Sequence, residues 1–260
     1  FFTPQIYFYL KNNHFDLIHG HDMQSFPSWF ASKVNTKFVF TPHYHGHTSF
    51  GKSRLEKAKY VFYHSSHEKK LLSKFNIPED KLIKIVNGLD IEEFKEPVKK
   101  MQTHIIYTGR LEEYKNIHRL INCMPELEDY TLKIIGKGPY EPQLKSLVNS
   151  LNLSDRITFI PYLSRQEYLR HLKQAECFVN LSSNETYSIS TTEAMACGTY
   201  CVVNQNTGMG DFVGKNCAGV NDLKQSTIID AITNRITINP VKWVSWDEVV
   251  KVYRDIYNGL

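Results

Sequence analysis

Two carboxylates eight positions apart, Glu185 and Glu193, close the ends of the stretch Glu-Thr-Tyr-Ser-Ile-Ser-Thr-Thr-Glu. The first follows the apolar run Cys177–Leu181 and sits in a loop, and the second lies one turn into a helix that ends at Gly198. The backbone N–H groups of Ser188, Ile189 and Ser190, just after Tyr187, stand at the mouth of that helix and suit a phosphate. Two cations follow another apolar run, His104–Thr108. Gly109 allows a close turn there, Arg110 brings a planar fork and Lys115 a point charge, a suitable pair for a diphosphate. After a third run, Thr131–Ile135, the segment Gly136-Lys137-Gly138-Pro139 reads as an anion-binding turn at a helix start. No third glycine follows at the spacing of a dinucleotide fingerprint. Singly, each feature also fits a blander role: Arg110 and Lys115 as solvated bases, Glu193 as a favourable first-turn acid.

These groups need elements to hold them. Apolar runs alternate with helical stretches along the whole chain, the pattern of parallel sheets with covered faces. Strands are expected at 15–19, 37–41, 60–64 and 82–86. After a charged stretch without periodicity, Lys95–Gln102, they resume at 104–108, 131–135, 157–160, 177–181 and 200–203. The restart implies two sheets. Residues 1–97 are expected to form a first domain, 98–243 a second, and 244–260 a terminal helix. Such sheets bind ligands at the carboxyl ends of their strands, where Arg110, Lys115, Gly138, Glu185 and Glu193 all fall. Together these loops describe one site for a sugar nucleotide, with Glu193 accepting hydrogen bonds from ribose hydroxyls.

Composition bounds the alternatives. The 260 residues are 42% hydrophobic and 22% charged, an ordinary globular balance that excludes whole-chain disorder. No run of eighteen apolar residues is present. The first hundred residues hold 15 basic against 10 acidic side chains, and the remainder 16 against 17. The basic excess fits either a solvated face or a surface turned toward an anionic partner, such as a membrane leaflet or a phosphorylated acceptor. No nucleic-acid partner is expected. Five cysteines without a Cys-x-x-Cys pair argue for reduced thiols in a cytosol. His43, His45 and His47 alternate, and His64 and His67 follow the next strand. A metal reading is open on spacing alone, but neither Cys-x-x-Cys nor His-Glu-x-x-His accompanies it.

The stretch from Glu185 to Glu193 resembles the Glu-x7-Glu motif of the retaining glycosyltransferase family 4, of GT-B fold. Gly109 to Lys115 resembles that family's donor-diphosphate segment. Phe15–Asp22, Thr41-Pro42-His43, Val86–Asp90 with Phe94, and Ala196–Thr199 fit it in order and spacing. The resemblance covers nearly the whole chain. It implies a GT-B fold of two Rossmann-like parallel-sheet domains facing a cleft, with the terminal helix crossing back to the first domain. The family's first strands would precede Phe1, so the first domain is expected to be incomplete. The implied reaction moves a sugar from a UDP- or GDP-sugar to a hydroxyl of a glycan, lipid or other acceptor, with retention. It requires no cofactor and, as no Asp-x-Asp is present, no metal. His43 and Glu185 are the implied catalytic residues. Gly109, Arg110, Lys115, Gly138, Tyr187, Ser188, Ile189, Ser190 and Glu193 are the implied donor contacts. A sugar-nucleotide epimerase and a non-catalytic nucleotide- or glycan-binding relative are the rival readings. The chain departs from the family's usual pattern at Ser188, which stands where the family has glycine, at Tyr200, where it has proline, at Pro161, where it has glycine near the expected place of the base, and at Asp211, where it has glutamate.

Overall fold

The computed structural model describes residues 3–46, 50–96, 98–235 and 241–260. His47 therefore lies outside the described residues. The chain divides into two units, 1–88 with 244–260, and 89–243.

In the first unit the elements run α1 (Thr3–Asn12), β1 (Leu17–His21), α2 (Phe26–Ala31), β2 (Lys37–Thr41), α3 (Lys52–Lys57), β3 (Val61–Tyr63), α4 (Ser66–Leu72) and β4 (Leu82–Lys84). The four strands pair in parallel in the order β1-β2-β3-β4. Phe38, Val39, Phe40, Val61 and Phe62 are all buried, because a parallel sheet is covered on both faces and its strands read as continuous apolar runs. One face packs Phe38, Phe40, Leu55 and Leu72. The other packs Val39, Phe62 and Ile85 against Val249, with Tyr253, Ile256 and Tyr257 alongside. Those last four residues come from the end of the chain, and their spacing places them on one face of a helix.

In the second unit β5 (His104–Thr108), α5 (Ile117–Cys123), β6 (Thr131–Ile135), α6 (Glu141–Ser150), β7 (Ile157–Ile160), α7 (Arg165–Gln174), β8 (Cys177–Asn180), α8 (Ile189–Ala196), β9 (Tyr200–Asn204), β10 (Cys217–Val220) and α9 (Gln225–Thr233) alternate. The strands form one parallel sheet in the order β10-β9-β8-β5-β6-β7. Ile105, Ile134, Val179 and Val202 centre its core, with Leu120, Leu144 and Ile228 from the covering helices. The chain ends in α10 (Trp246–Asn258), which opens with a capping box between Ser245 and Glu248 and belongs to the first unit.

The charged stretch Lys95–Gln102 lies inside the second unit, and its described residues form neither helix nor strand. The turn just before it, Ile91–Phe94, is held to α7. Lys173 Nζ donates to the Glu93 carbonyl at 2.9 Å, and Arg165 grips the Glu93 carboxylate. Among the described residues no helix is long and apolar enough to cross a membrane.

Candidate active site

The order of the second sheet reverses between β5 and β8. The chain leaves β5 toward β6 on one side and leaves β8 toward β9 on the other, so a crevice opens outside their carboxyl ends. The turns that border it are tightly fitted. Gly109 N donates to the Ile135 carbonyl at 3.0 Å and Leu111 N to the Lys137 carbonyl at 2.9 Å. A Cβ on Gly136, whose φ is 143°, would sit 1.9 Å from the Gly109 carbonyl oxygen, and one on Gly138 would sit 2.2 Å from that of Leu111. Close approach of the two turns by itself requires both glycines, without an anion.

Across the crevice, Lys115 follows β5 and Glu185 follows β8. Lys115 Nζ donates to Glu185 Oε1 at 2.5 Å, with both side chains largely buried. The loops that carry them are tied by Asn116, which takes the left-handed conformation (φ 56°). Its Nδ2 donates to the Leu181 carbonyl at 2.9 Å and to Ser183 Oγ at 2.6 Å, while Ser183 N donates to the Tyr114 carbonyl at 2.8 Å. Behind Glu185, Gly208 N donates to its carbonyl at 2.8 Å. Arg110 is placed differently. Its side chain is 73% exposed, its Nη1 lies 3.6 Å from Glu112, and its Nη2 donates to Tyr114 Oη at 2.9 Å. The two cations expected as a pair thus differ: Lys115 is held by a carboxylate and Arg110 reaches into solvent.

Ser188 caps α8 with φ 79° and ψ 90°, a conformation suited to glycine. Its hydroxyl offsets the strain: Asn180 Nδ2 donates to Oγ at 3.1 Å, Thr191 N at 3.4 Å, and Thr191 Oγ1 lies 2.8 Å away. The serine at the family's glycine position therefore keeps the backbone course of a glycine. Among the described residues no backbone carbonyl accepts from Ile189 N or Ser190 N, which leaves two amides at the helix start without a backbone partner. Tyr187 is buried edge-on against Phe212, with ring centroids 5.3 Å apart. It acts as a wall behind the loop. Ser188→Ala keeps the strained φ and loses the cap, so it is expected to destabilise the protein by about 1–2 kcal/mol. Ser188→Gly, which relieves the strain, should cost less than half of that. Urea unfolding of both variants checks the order, and an alanine variant as stable as the glycine one would remove the cap from the account.

Glu193 is buried, and each oxygen has a donor: Arg165 Nη1 to Oε1 and Tyr168 Oη to Oε2, both at 2.6 Å. The rest of the Arg165 fork serves Glu93, with Nη2 at 2.6 Å and Nε at 3.1 Å from Oε2. The bonds to Glu93 and Glu193 hold Arg165 more firmly protonated, while burial and the nearby Glu193 push the Tyr168 hydroxyl up. Sequence reasoning missed Arg165, Tyr168 and Glu93. One signal was available. Arg165 is the first helical residue after the N-cap Ser164, an end where the helix dipole disfavours a cation, so a basic residue there needs another partner.

In the first unit, His43 stands just past β2 with φ 45°, again left-handed. Its ring stacks between His21 (centroids 5.6 Å, 22° between planes) and His64 (5.0 Å, 19°), and His19 lies 4.2 Å from His21. His21 Nδ1 and His43 Nε2 are 3.3 Å apart. Burial first, and then the neighbouring imidazoles, lower His19 to about 3 and His43 to about 4. His19 and His43 are therefore uncharged at neutral pH, and burial lowers His21 and His64 as well. The rings stack instead of converging, and among the described residues no three His, Cys, Asp or Glu side chains gather to hold a metal. Glu68 braces the row from behind. Its buried carboxylate accepts from Tyr44 N at 2.7 Å and His64 N at 2.8 Å, and burial raises it to about 7.

The family model for glycosyl transferases group 1 matches residues 90–236, more than half of the chain, and that for glycosyltransferase family 4 matches residues 1–93. The chain belongs to glycosyl transferases group 1. This group 1 chain is 28% identical over 185 residues to an uncharacterized glycosyltransferase of Methanocaldococcus jannaschii, covering 65% of itself and 47% of that protein. It is 26% identical over 219 residues to the O-antigen chain mannosyltransferase RfbU of Salmonella typhimurium, covering 82% of itself and 59% of that protein. It spans about half the length of the curated relatives it matches. Among solved structures, the lipopolysaccharide outer core galactosyltransferase WaaB superposes with a TM-score of 0.79 at 16% identity, over 99% of the group 1 chain and 79% of WaaB. The Anabaena protein HepE in complex with UDP superposes with 0.74 at 14% identity, over 99% and 82%. The fold is accordingly GT-B, with two parallel-sheet α/β units.

Proposed function

We propose that this group 1 glycosyltransferase takes its sugar from a nucleoside diphosphate sugar and transfers it, with retention, to a hydroxyl of a glycan or lipid-linked acceptor. The observation that carries this reading is the meeting of Lys115 and Glu185 at the switch point of the second sheet, where the loop that holds Glu185 runs into a helix start whose Ile189 and Ser190 amides have no backbone acceptor among the described residues. A cation and two amides suit a diphosphate, and a carboxylate suits sugar hydroxyls. The solved relatives that hold UDP or UDP-glucose support the same ligand class.

In this reading Arg110, Lys115 and the two amides face the diphosphate. Charge grows on that group as the anomeric bond breaks, so contacts to it strengthen in the transition state, which is the requirement for catalysis. Glu185 holds hydroxyls of the sugar and Glu193 the ribose. The acceptor proton leaves with the departing diphosphate on the same face, which preserves the anomeric configuration and needs no separate base. In the first unit, His43 is assigned to stabilising positive charge on the sugar, and its neutral imidazole suits that task.

Incubation with UDP- and GDP-sugars and hydroxyl acceptors, with and without EDTA, is expected to release nucleoside diphosphate and give an α-product from an α-donor in both conditions. Loss of transfer with EDTA would overturn the metal-free reading. An inverted product would overturn retention, and a changed donor sugar without transfer would favour an epimerase.

A further inference from the structure

Resting on the donor reading above, we infer that Arg165 and Tyr168 are positioning residues that make Glu193 selective for a ribose carrying both of its hydroxyls.

An ionised carboxylate has about four acceptor positions, two on each oxygen. Arg165 Nη1 occupies one on Oε1 and Tyr168 Oη one on Oε2, both at 2.6 Å. One acceptor position is left on each oxygen. A vicinal cis-diol offers two O–H donors at matching separation, and the 2′- and 3′-hydroxyls of a ribonucleotide form such a diol. The two protein donors also fix the plane of the carboxylate. Without them it would turn freely about its last bond and lose its preference for paired donors.

The donors are themselves held. Arg165 spends Nη2 and Nε on Glu93, so its fork cannot swing away from Glu193. Tyr168 is placed by the capping box of α7, and its hydroxyl also lies 3.5 Å from Thr108 Oγ1 at the end of β5. The two donors come from the first turn of α7, and two further segments brace them: the turn at Ile91–Phe94 holds Arg165, and the end of β5 lies against Tyr168. A first-turn acid that merely complements the helix dipole needs none of them.

The test is calorimetric binding of UDP and GDP and of their 2′-deoxy and 3′-deoxy forms to the wild type, Tyr168→Phe and Arg165→Met. Wild type should bind each deoxy form about tenfold or more weaker than its parent, the usual effect of losing a hydrogen bond to a charged group. In both variants the parent should bind about tenfold weaker, and the ratio of parent to deoxy affinity should fall toward one. A purely structural role would lower all affinities together and leave that ratio unchanged, which would overturn the inference. So would a wild type that binds UDP or GDP without discriminating the deoxy forms. Arg165→Met leaves Glu93 and Glu193 facing each other; if it does not fold, Tyr168→Phe, which removes one oxygen, carries the test by the same ratio. A wild type that binds neither UDP nor GDP nor any deoxy form overturns the donor reading itself, and the inference with it.

Discussion

Glu185→Gln is expected to lower sugar-transfer turnover by about 10²–10³ while leaving affinity for the free nucleoside diphosphate unchanged or slightly raised. The magnitude is that of removing one preorganised polar group from a reacting centre. The sign on affinity follows from geometry. Glu185 holds Lys115 at 2.5 Å, so a nucleotide diphosphate competes with it for the ammonium, and neutralising Glu185 removes the competitor. Lys115→Ala should act in the opposite sense and weaken nucleotide binding together with turnover. It also leaves a largely buried carboxylate without a counter-charge, which adds a cost in stability. Single-turnover rates and calorimetry on both variants separate the two effects. Full turnover in Glu185→Gln would take this residue out of the reaction.

Gly136→Ala is the substitution expected to cost most in stability, about 3 kcal/mol or more. Overpacking and a strained φ each contribute on the order of 1–3 kcal/mol. The new methyl would lie 1.9 Å from the Gly109 carbonyl oxygen, and backbone cannot move aside there without breaking the Gly109-to-Ile135 hydrogen bond. Gly198→Ala supplies the control. Its φ is 68°, but nothing lies within 4 Å of the added carbon, so only the strain of about 1 kcal/mol applies. Urea unfolding of the two variants measures the difference. Equal midpoints would show that the turns after β5 and β6 have room to separate.

Much of this architecture is legible from residues alone, and the omissions have physical causes. The strands β5 to β9 are apolar runs, and Gly109, Gly136 or a loop of small polar residues ends several of them. β10 escaped because Cys-Ala-Gly-Val contains one β-branched residue and a glycine, and the sheet, not propensity, makes it a strand. α1 escaped because Tyr7, Phe8 and Tyr9 run consecutively and hide any helical period. Lys115 and Glu185 were each readable, but their contact was not. They are 70 residues apart in sequence, and only the strand order brings β5 beside β8. The alternation of His43, His45 and His47 left a metal reading open. The partners His43 takes are instead His21 and His64, because the parallel register sets His21 beside Thr41 and β3 lies on the other side of β2. Arg165 and Tyr168 belong to no motif, and only the folded surface of α7 turns them to Glu193.

The return of α10 to the first unit governs how the protein is made. Residues 89–243 are complete, and contain their whole sheet, before Val244 leaves the ribosome. The first unit begins earlier and finishes last. Until Val249, Tyr253 and Ile256 emerge, Val39, Phe62 and Ile85 have one face without its cover. Folding during synthesis therefore runs against the usual order, with the second unit able to close first. A chain released early, at any point after Trp243, carries an intact second unit beside a first unit with an open apolar face. Such a product is the form of this protein that quality-control proteases and chaperones would meet.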